Sequence, residues 1–300
     1  MTAPERRTPI TAATVLPIII APLALLFGYV VGRREGVFRW FRDHRQIPFV
    51  VTVSLFFVLT LFFVERGRVA GTTPWELFLP VFVGVWAAVL ADDAYNLAQP
   101  GAVLSRRRVA FLVLYGAVPV IPFLIIRELG LSVVLAGSLA TMLLVGTRRE
   151  WWAELMLVVW LILVVAAFNL DPRSNTRLQL MIDPYRDLSA MTQEEAESWA
   201  ARMHQFKLFD ANVLDGGFFG EGAGRGHPET APNAADDGYI TAIAANWGLF
   251  GSLSLVLLYT AFIIQMLSVA ARERSAFERS LVTGLAMLLA IPFWMAALGG

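Results

Sequence analysis

The chain has 300 residues, 57% of them hydrophobic and 16% charged, with a mean hydropathy of +0.62 and a formal net charge of zero. Soluble domains carry about 25% charged residues, so an ordinary water-soluble fold is excluded. The neutral balance gives no field to attract nucleic acid. The absence of cysteine excludes disulfides, thiolate metal sites and cysteine nucleophiles.

The apolar residues arrive in blocks long enough to cross about 30 Å of hydrocarbon as helix. In chain order they fall at 9–31, 47–64, 75–91, 109–126, 129–147, 151–169, 239–269 and 280–298. Lipid offers no partner to backbone polar groups, so each block is expected to be helical. The fold class read from the sequence is therefore all-α and polytopic, with about eight transmembrane helices and one large loop. The first block is not an ordinary signal peptide: it is too long, it lacks an evident small-residue cleavage site, and further spans follow.

Connections 32–46, 92–108, 148–150 and 270–279 hold 5, 3, 2 and 3 arginines, whereas 1–8, 65–74 and 127–128 hold 2, 2 and 1. Thirteen against five puts the first set in the cytoplasm. Arg106 to Arg108 are topology determinants on this reading. The segment 170–238 and the N-terminus then lie outside. The organisation expected is a bundle of six spans over 1–169, an extracytoplasmic loop over 170–238, and two spans over 239–300.

Within that loop, "MTQEEAESWAARMHQF" opens with Thr192 and Glu195 at capping-box spacing. Ala196, Trp199, Met203 and Phe206 follow on one helical face. Next comes "GGFFGEGAGRG", Gly216 to Gly226, with six glycines in eleven residues. A P-loop would need Lys-Ser/Thr after its last glycine and a Rossmann turn a preceding strand. "GRGHPET" follows instead, so a nucleotide cradle is excluded. A slack linker fits poorly, because Phe218 and Phe219 would be costly to leave in water. A fitted, glycine-permitted loop at the membrane face remains. His44, His204 and His227 are too scattered for a metal site.

The order and spacing of these residues resemble the SEDS family, the FtsW/RodA/SpoVE proteins of bacterial cell-wall synthesis. Gln205 stands eleven residues before Gly216, and Gly217, Gly220, Gly222 and Gly224 fall in the family register. "PNAADDGYITAIAANWGLFG", Pro232 to Gly251, matches the family's second segment without a gap. That match puts Asp237 on the family's aspartate and Gly248 and Gly251 on its glycines. The piece between Gly224 and Pro232 is about two residues shorter than the family's. Upstream, Pro74 and Glu76 resemble the Pro-Ser-Glu stretch, Glu128 and Gly130 the Pro-Asp-x-Gly-Thr segment, and "RLQLMIDPYRD" the opening of the large loop. The resemblance covers about 70 to 300.

The departures are specific. Ala235-Asp236 stands for the family's His-Thr, Gly238 for its Phe, and Ala245-Asn246-Trp247 for its Glu-Glu-Leu. The lysine after Pro-Ser-Glu is absent. There are eight spans against a usual ten, and the sequence stops at Gly300 about where another family segment would follow. A divergent branch or a fragment is expected.

The resemblance implies a glycosyltransferase that polymerises lipid II at the outer face of the bacterial cytoplasmic membrane, in elongation or division. The implied partner is a class B penicillin-binding protein supplying the transpeptidase. The acceptor hydroxyl needs a base, for which Asp237 is the candidate. Asp237 or Asp236 would equally serve as a helix N-cap. Positive groups or a divalent cation such as Mg2+ or Mn2+ would hold the departing pyrophosphate. Arg225 is a candidate for phosphate, and Glu221 and Glu229 are candidates for the cation. Glu128, Glu76 and Gln205 are further substrate-side candidates, although Glu128 and Glu76 would also favour helix N-termini simply by their charge. A catalytically silent SEDS-like scaffold is the alternative. A lipid-linked oligosaccharide transporter ranks last, because no paired broken helices or charge relay are evident.

Overall fold

The computed structural model describes residues 36, 39–40, 43–44, 46–63, 78–98, 115–125, 129–147, 150–170, 196, 211, 213–222, 225 and 239–299. Seven helices carry the described chain: α1 (Gln46–Phe63), α2 (Leu79–Ala98), α3 (Val120–Ile125), α4 (Leu129–Thr147), α5 (Glu150–Leu170), α6 (Tyr239–Arg272) and α7 (Ala276–Gly299). Among the described residues there is no strand. The apolar blocks expected at 47–64, 129–147 and 151–169 match α1, α4 and α5 to within one residue at each end. The block expected at 109–126 is interrupted by a turn at Val118 and Pro119 before α3 begins. Proline has no N–H to continue the helical ladder, which accounts for the turn. The block at 9–31 lies outside the described residues.

Helices α2, α4 and α7 pack mutually and form the centre; α3 and α5 lie against α4, α1 against α2 and α3, and α6 against α7. Small residues let the central three approach. A Cβ added at Gly284 of α7 would stand 2.5 Å from both Met142 Sδ of α4 and Val83 Cγ1 of α2. One added at Gly137 of α4 would stand 2.6 Å from Ile291 Cδ1 of α7. Beside this seam Phe56 gathers Phe123 at 4.8 Å, Phe78 at 5.3 Å and Phe82 at 6.0 Å between ring centroids. Trp86, Phe56, Phe123, Leu135 and Met142 are fully buried. Two hydroxyls that the seam encloses are satisfied within their own helices: Ser138 Oγ donates to Val134 O at 2.7 Å and Thr283 Oγ1 to Arg279 O at 2.8 Å. Such back-bonding removes the cost of an unpaired donor in an apolar interior.

The outer helices expose apolar surface. On α5, Leu155, Val158 and Ile162 are open; on α6, Leu253, Leu257 and Leu258 are open. Two described helices, Tyr239–Arg272 and Ala276–Ala297, are long and apolar enough to cross a bilayer, while the apolar stretches Gln46–Val58, Leu79–Ala91 and Gly130–Gly146 are shorter.

If the α2–α4–α7 seam depends on its glycines, Gly284→Leu destabilises the bundle by about 1–3 kcal/mol through overpacking. The exposed control Leu258→Ala stays within about 0.5 kcal/mol of the parent. Thermal unfolding of the purified protein in detergent measures both, and an unchanged transition in Gly284→Leu refutes the close approach.

Candidate functional site: a glycine loop stitched to a broken helix

The span expected over 239–269 is present, but α6 is not one straight rod. Gly248 has φ 66° and ψ −168°, a conformation open essentially to glycine alone. It divides α6 into a short arm, 239–247, and a long arm, 249–272. The arms fold back on each other. Ser252 Oγ donates to Ile240 O, twelve residues away, at 3.4 Å. Tyr239 and Tyr259 both lie against Phe293 of α7, with ring centroids 6.5 and 4.0 Å away. In a straight helix those two tyrosines would stand about 30 Å apart. At the vertex, a Cβ on Gly251 would run into Trp247 Cβ, so glycine there permits the tight return.

A helix break leaves the last carbonyls of one arm and the first amides of the next without intrahelical partners. The glycine loop supplies them. Glu221 N–H donates to Ala245 O at 3.1 Å and Gly222 N–H to Asn246 O at 3.0 Å. In return, Leu249 N–H donates to Gly217 O at 2.9 Å and Phe250 N–H to Phe218 O at 3.0 Å. The loop holds its own shape through Gly220 N–H to Gly216 O at 2.7 Å and Arg225 N–H to Gly222 O at 3.0 Å. Backbone lies directly on backbone here. A side chain at Gly216 would strike the Ala244 carbonyl, one at Gly220 the Asn246 carbonyl, and one at Gly248 both Gly220 N and the Phe218 carbonyl. Gly217, at φ 55°, faces open space, so its requirement is conformational only.

Of the residues singled out from sequence, the structure joins Gly216, Gly217, Gly220, Glu221 and Gly222 to the α6 break, with Arg225 closing the turn behind them. The side chains of Glu221 and Arg225 are exposed. Asp237, Asp236, Glu229, Glu128, Glu76, Gln205 and Gly224 lie outside the described residues, as does the helix expected over 192–206 apart from Ala196. Asp237 precedes Tyr239, the first residue of the short arm, by two positions. Among the described residues no group of three or more His, Asp or Glu side chains could hold a metal. Of the two residues expected to hold a cation, Glu221 is described and Glu229 lies outside the described residues.

With this geometry in hand, comparison with known proteins gives the framework a family. The profile described as "Cell cycle protein", FtsW/RodA/SpoVE, matches residues 41–299. The chain belongs to the FtsW/RodA/SpoVE family. It is thus a membrane protein, with which its two long apolar helices agree. It is 30% identical to the peptidoglycan glycosyltransferase RodA of Mycobacterium tuberculosis H37Rv over 173 residues, 58% of this chain and 34% of the relative. The chain therefore spans about a third of the RodA relatives it matches. It is 25% identical to the probable peptidoglycan glycosyltransferase FtsW of Legionella pneumophila over 283 residues, covering 90% of this chain and 68% of that one. In solved structures, a chain of a peptidoglycan synthase complex superposes with a TM-score of 0.64 at 20% identity, over 97% of this chain and 80% of its own. That likeness shows a shared fold. Of the glycines read from the sequence, Gly216, Gly217, Gly220 and Gly222 meet the break from the loop and Gly248 meets the loop from α6, while Gly251 lies against Trp247 within α6.

Sequence reading matched Gly248 and Gly251 by register without anticipating the break. The signal was there: a 31-residue apolar block is about 46 Å of helix, half as long again as the hydrocarbon it must cross. Gly248→Ala adds steric collision to positive-φ strain and is expected to cost more than the about 1–3 kcal/mol of such backbone strain alone. Gly217→Ala is expected to cost no more than that strain. Protease sensitivity of the 213–222 loop in detergent, with the thermal transition, ranks the two; equal effects at both positions contradict the stitched contact.

Proposed function

We propose that this chain is a SEDS-type glycosyltransferase that polymerises lipid II into glycan strands at the outer face of the bacterial cytoplasmic membrane, in elongation or division. The observation that carries the reading is the stitch itself. Two family segments in register, the glycine loop and the Gly248–Gly251 turn, hydrogen-bond to each other, and Asp237 belongs to the stretch of chain between them. Family membership and relatives named peptidoglycan glycosyltransferase support it.

In the proposed reaction the acceptor sugar hydroxyl attacks the anomeric carbon of the growing chain. The bond from that carbon to the pyrophosphate oxygen breaks, and undecaprenyl pyrophosphate departs. The hydroxyl proton passes to the Asp237 carboxylate. Arg225 is proposed to face the departing phosphates, and Asp236, Glu229, Glu221, Glu128, Glu76 and Gln205 to line the substrate side. A divalent cation, Mg2+ or Mn2+, would add charge stabilisation at the pyrophosphate. The arginine asymmetry supports a large extracytoplasmic loop over 170–238, six spans before it and two after. A class B penicillin-binding protein is the proposed partner. The fold shared with a chain of a complex described as coordinating polymerization and crosslinking agrees with it.

A silent scaffold is the second reading, favoured by Ala235-Asp236 and Gly238 beside Asp237 and by Ala245-Asn246-Trp247. The hydrogen bonds of the stitch at 245 and 246 use the backbone carbonyls, which any residue supplies. The transporter reading is weaker still. Interrupted helices in transporters offer free backbone groups to substrate and ion, whereas the groups flanking Gly248 are already engaged by the loop.

A lipid II polymerisation assay on the purified protein, with and without the partner transpeptidase, decides between the readings. Glycan product is expected from the parent, with a loss of about 10²–10⁴-fold in Asp237→Asn from removal of the base. No product from the parent in any partner context sinks the enzyme reading, and full activity of Asp237→Asn sinks only the assignment of the base.

A further inference from the structure

The vertex of the broken helix carries a dense apolar surface that the stitch does not use. Phe218, Phe219, Trp247 and Phe250 are 56%, 76%, 58% and 59% exposed, and Leu214 is 78% exposed. The three phenylalanines form one cluster. Phe218 meets Phe219 edge-on at 4.8 Å, and Phe250 lies 6.4 and 6.5 Å from the two. The cluster is held at its base by the hydrogen bond from Phe250 N–H to Phe218 O at 3.0 Å, so it is built before anything covers it.

Two observations say what covers it. Phe250 begins a stripe on the long arm that continues through the exposed Leu253, Leu257 and Ile264, at the three-, four- and seven-residue steps of one helix face. In a membrane protein an exposed face of this kind meets lipid, and the cluster is its direct extension. The second observation is depth. The long arm, 249–272, ends on Arg272 and extends about 36 Å. The hydrocarbon layer is about 30 Å thick and the bilayer with headgroups about 40–45 Å. With Arg272 at one interface, the vertex falls at the opposite interface, the layer where aromatic side chains concentrate.

We infer that Phe218, Phe219, Trp247 and Phe250 form a lipid-seated foot that inserts the glycine loop into the headgroup–acyl boundary of one leaflet. Glu221 and Arg225 lie on the same loop a few residues further on, with exposed side chains, and mark where it returns to water. The foot fixes the depth of the α6 break, and with it the level at which the short arm begins.

The chain has no cysteine, so single thiols can be introduced without background. Phe219→Cys and Glu221→Cys, each nitroxide-labelled and reconstituted in phosphatidylglycerol–phosphatidylethanolamine vesicles, are compared for collision with oxygen, which partitions into lipid, and with a water-soluble nickel chelate. The expected result is a depth parameter of opposite sign: oxygen dominates at 219 and nickel at 221. Leu214→Cys provides a second apolar position should the Phe219 variant fail to fold, and is expected to behave like 219. Nickel accessibility at 214 and 219 equal to that at 221 overturns the inference. So does protection from both reagents, which would mean that a second copy or another protein, and not lipid, covers the foot. Neither outcome touches the glycosyltransferase reading, which the polymerisation assay tests separately.

Discussion

A backbone amide or carbonyl buried away from water must find its partner within the protein. Everything distinctive about this chain follows from how it meets that constraint at Gly248. Breaking a helix there leaves Ala245 and Asn246 carbonyls and Leu249 and Phe250 amides to be satisfied, and the loop of residues 217–222 meets all four. Each such group left unpaired and buried would cost about 1–3 kcal/mol. The break is therefore stable only with the loop in place, and the loop is ordered only by the break. Glycine at 216, 220 and 248 is what allows two stretches of backbone to lie that close.

The rest of the bundle gives this joint a fixed support. Helix α7 is packed between α2 and α4 through Gly284 and Gly137, and it also presents Phe293, on which Tyr239 and Tyr259 from the two arms both rest. The folded-back arms are thus held from one side by ring contacts to α7 and closed at the vertex by backbone hydrogen bonds. The two kinds of contact act at opposite ends of the short arm.

The helices α1, α4 and α5 were legible nearly residue by residue, because apolar blocks bounded by arginine-bearing turns leave the chain little choice. The broken helix was half-legible. Its excess length and its two glycines at 248 and 251 were visible, but hydropathy does not distinguish a rod from a hairpin of the same composition. The glycine loop was placed in register with the family by spacing from Gln205, yet its partners could not be read, since backbone carbonyls at Ala245 and Asn246 leave no trace in side-chain identity. For the same reason the departures at 245 and 246 leave these two hydrogen bonds available. Asp237, the proposed base, was legible only through its match to the family aspartate.

The hydrogen bond from Gly222 to Asn246 has a topological meaning as well. It closes the intervening chain into a ring, and Asp237 is a member of that ring by its place in the sequence. The entropy of closing a ring depends only on the logarithm of its size, about 0.6 kcal/mol for a doubling of length. Two residues fewer between Gly224 and Pro232 than the family usually has therefore change the closure energy hardly at all. A change of length between the clasp and the short arm costs little closure entropy, whereas a side chain at Gly216, Gly220 or Gly248 collides with backbone.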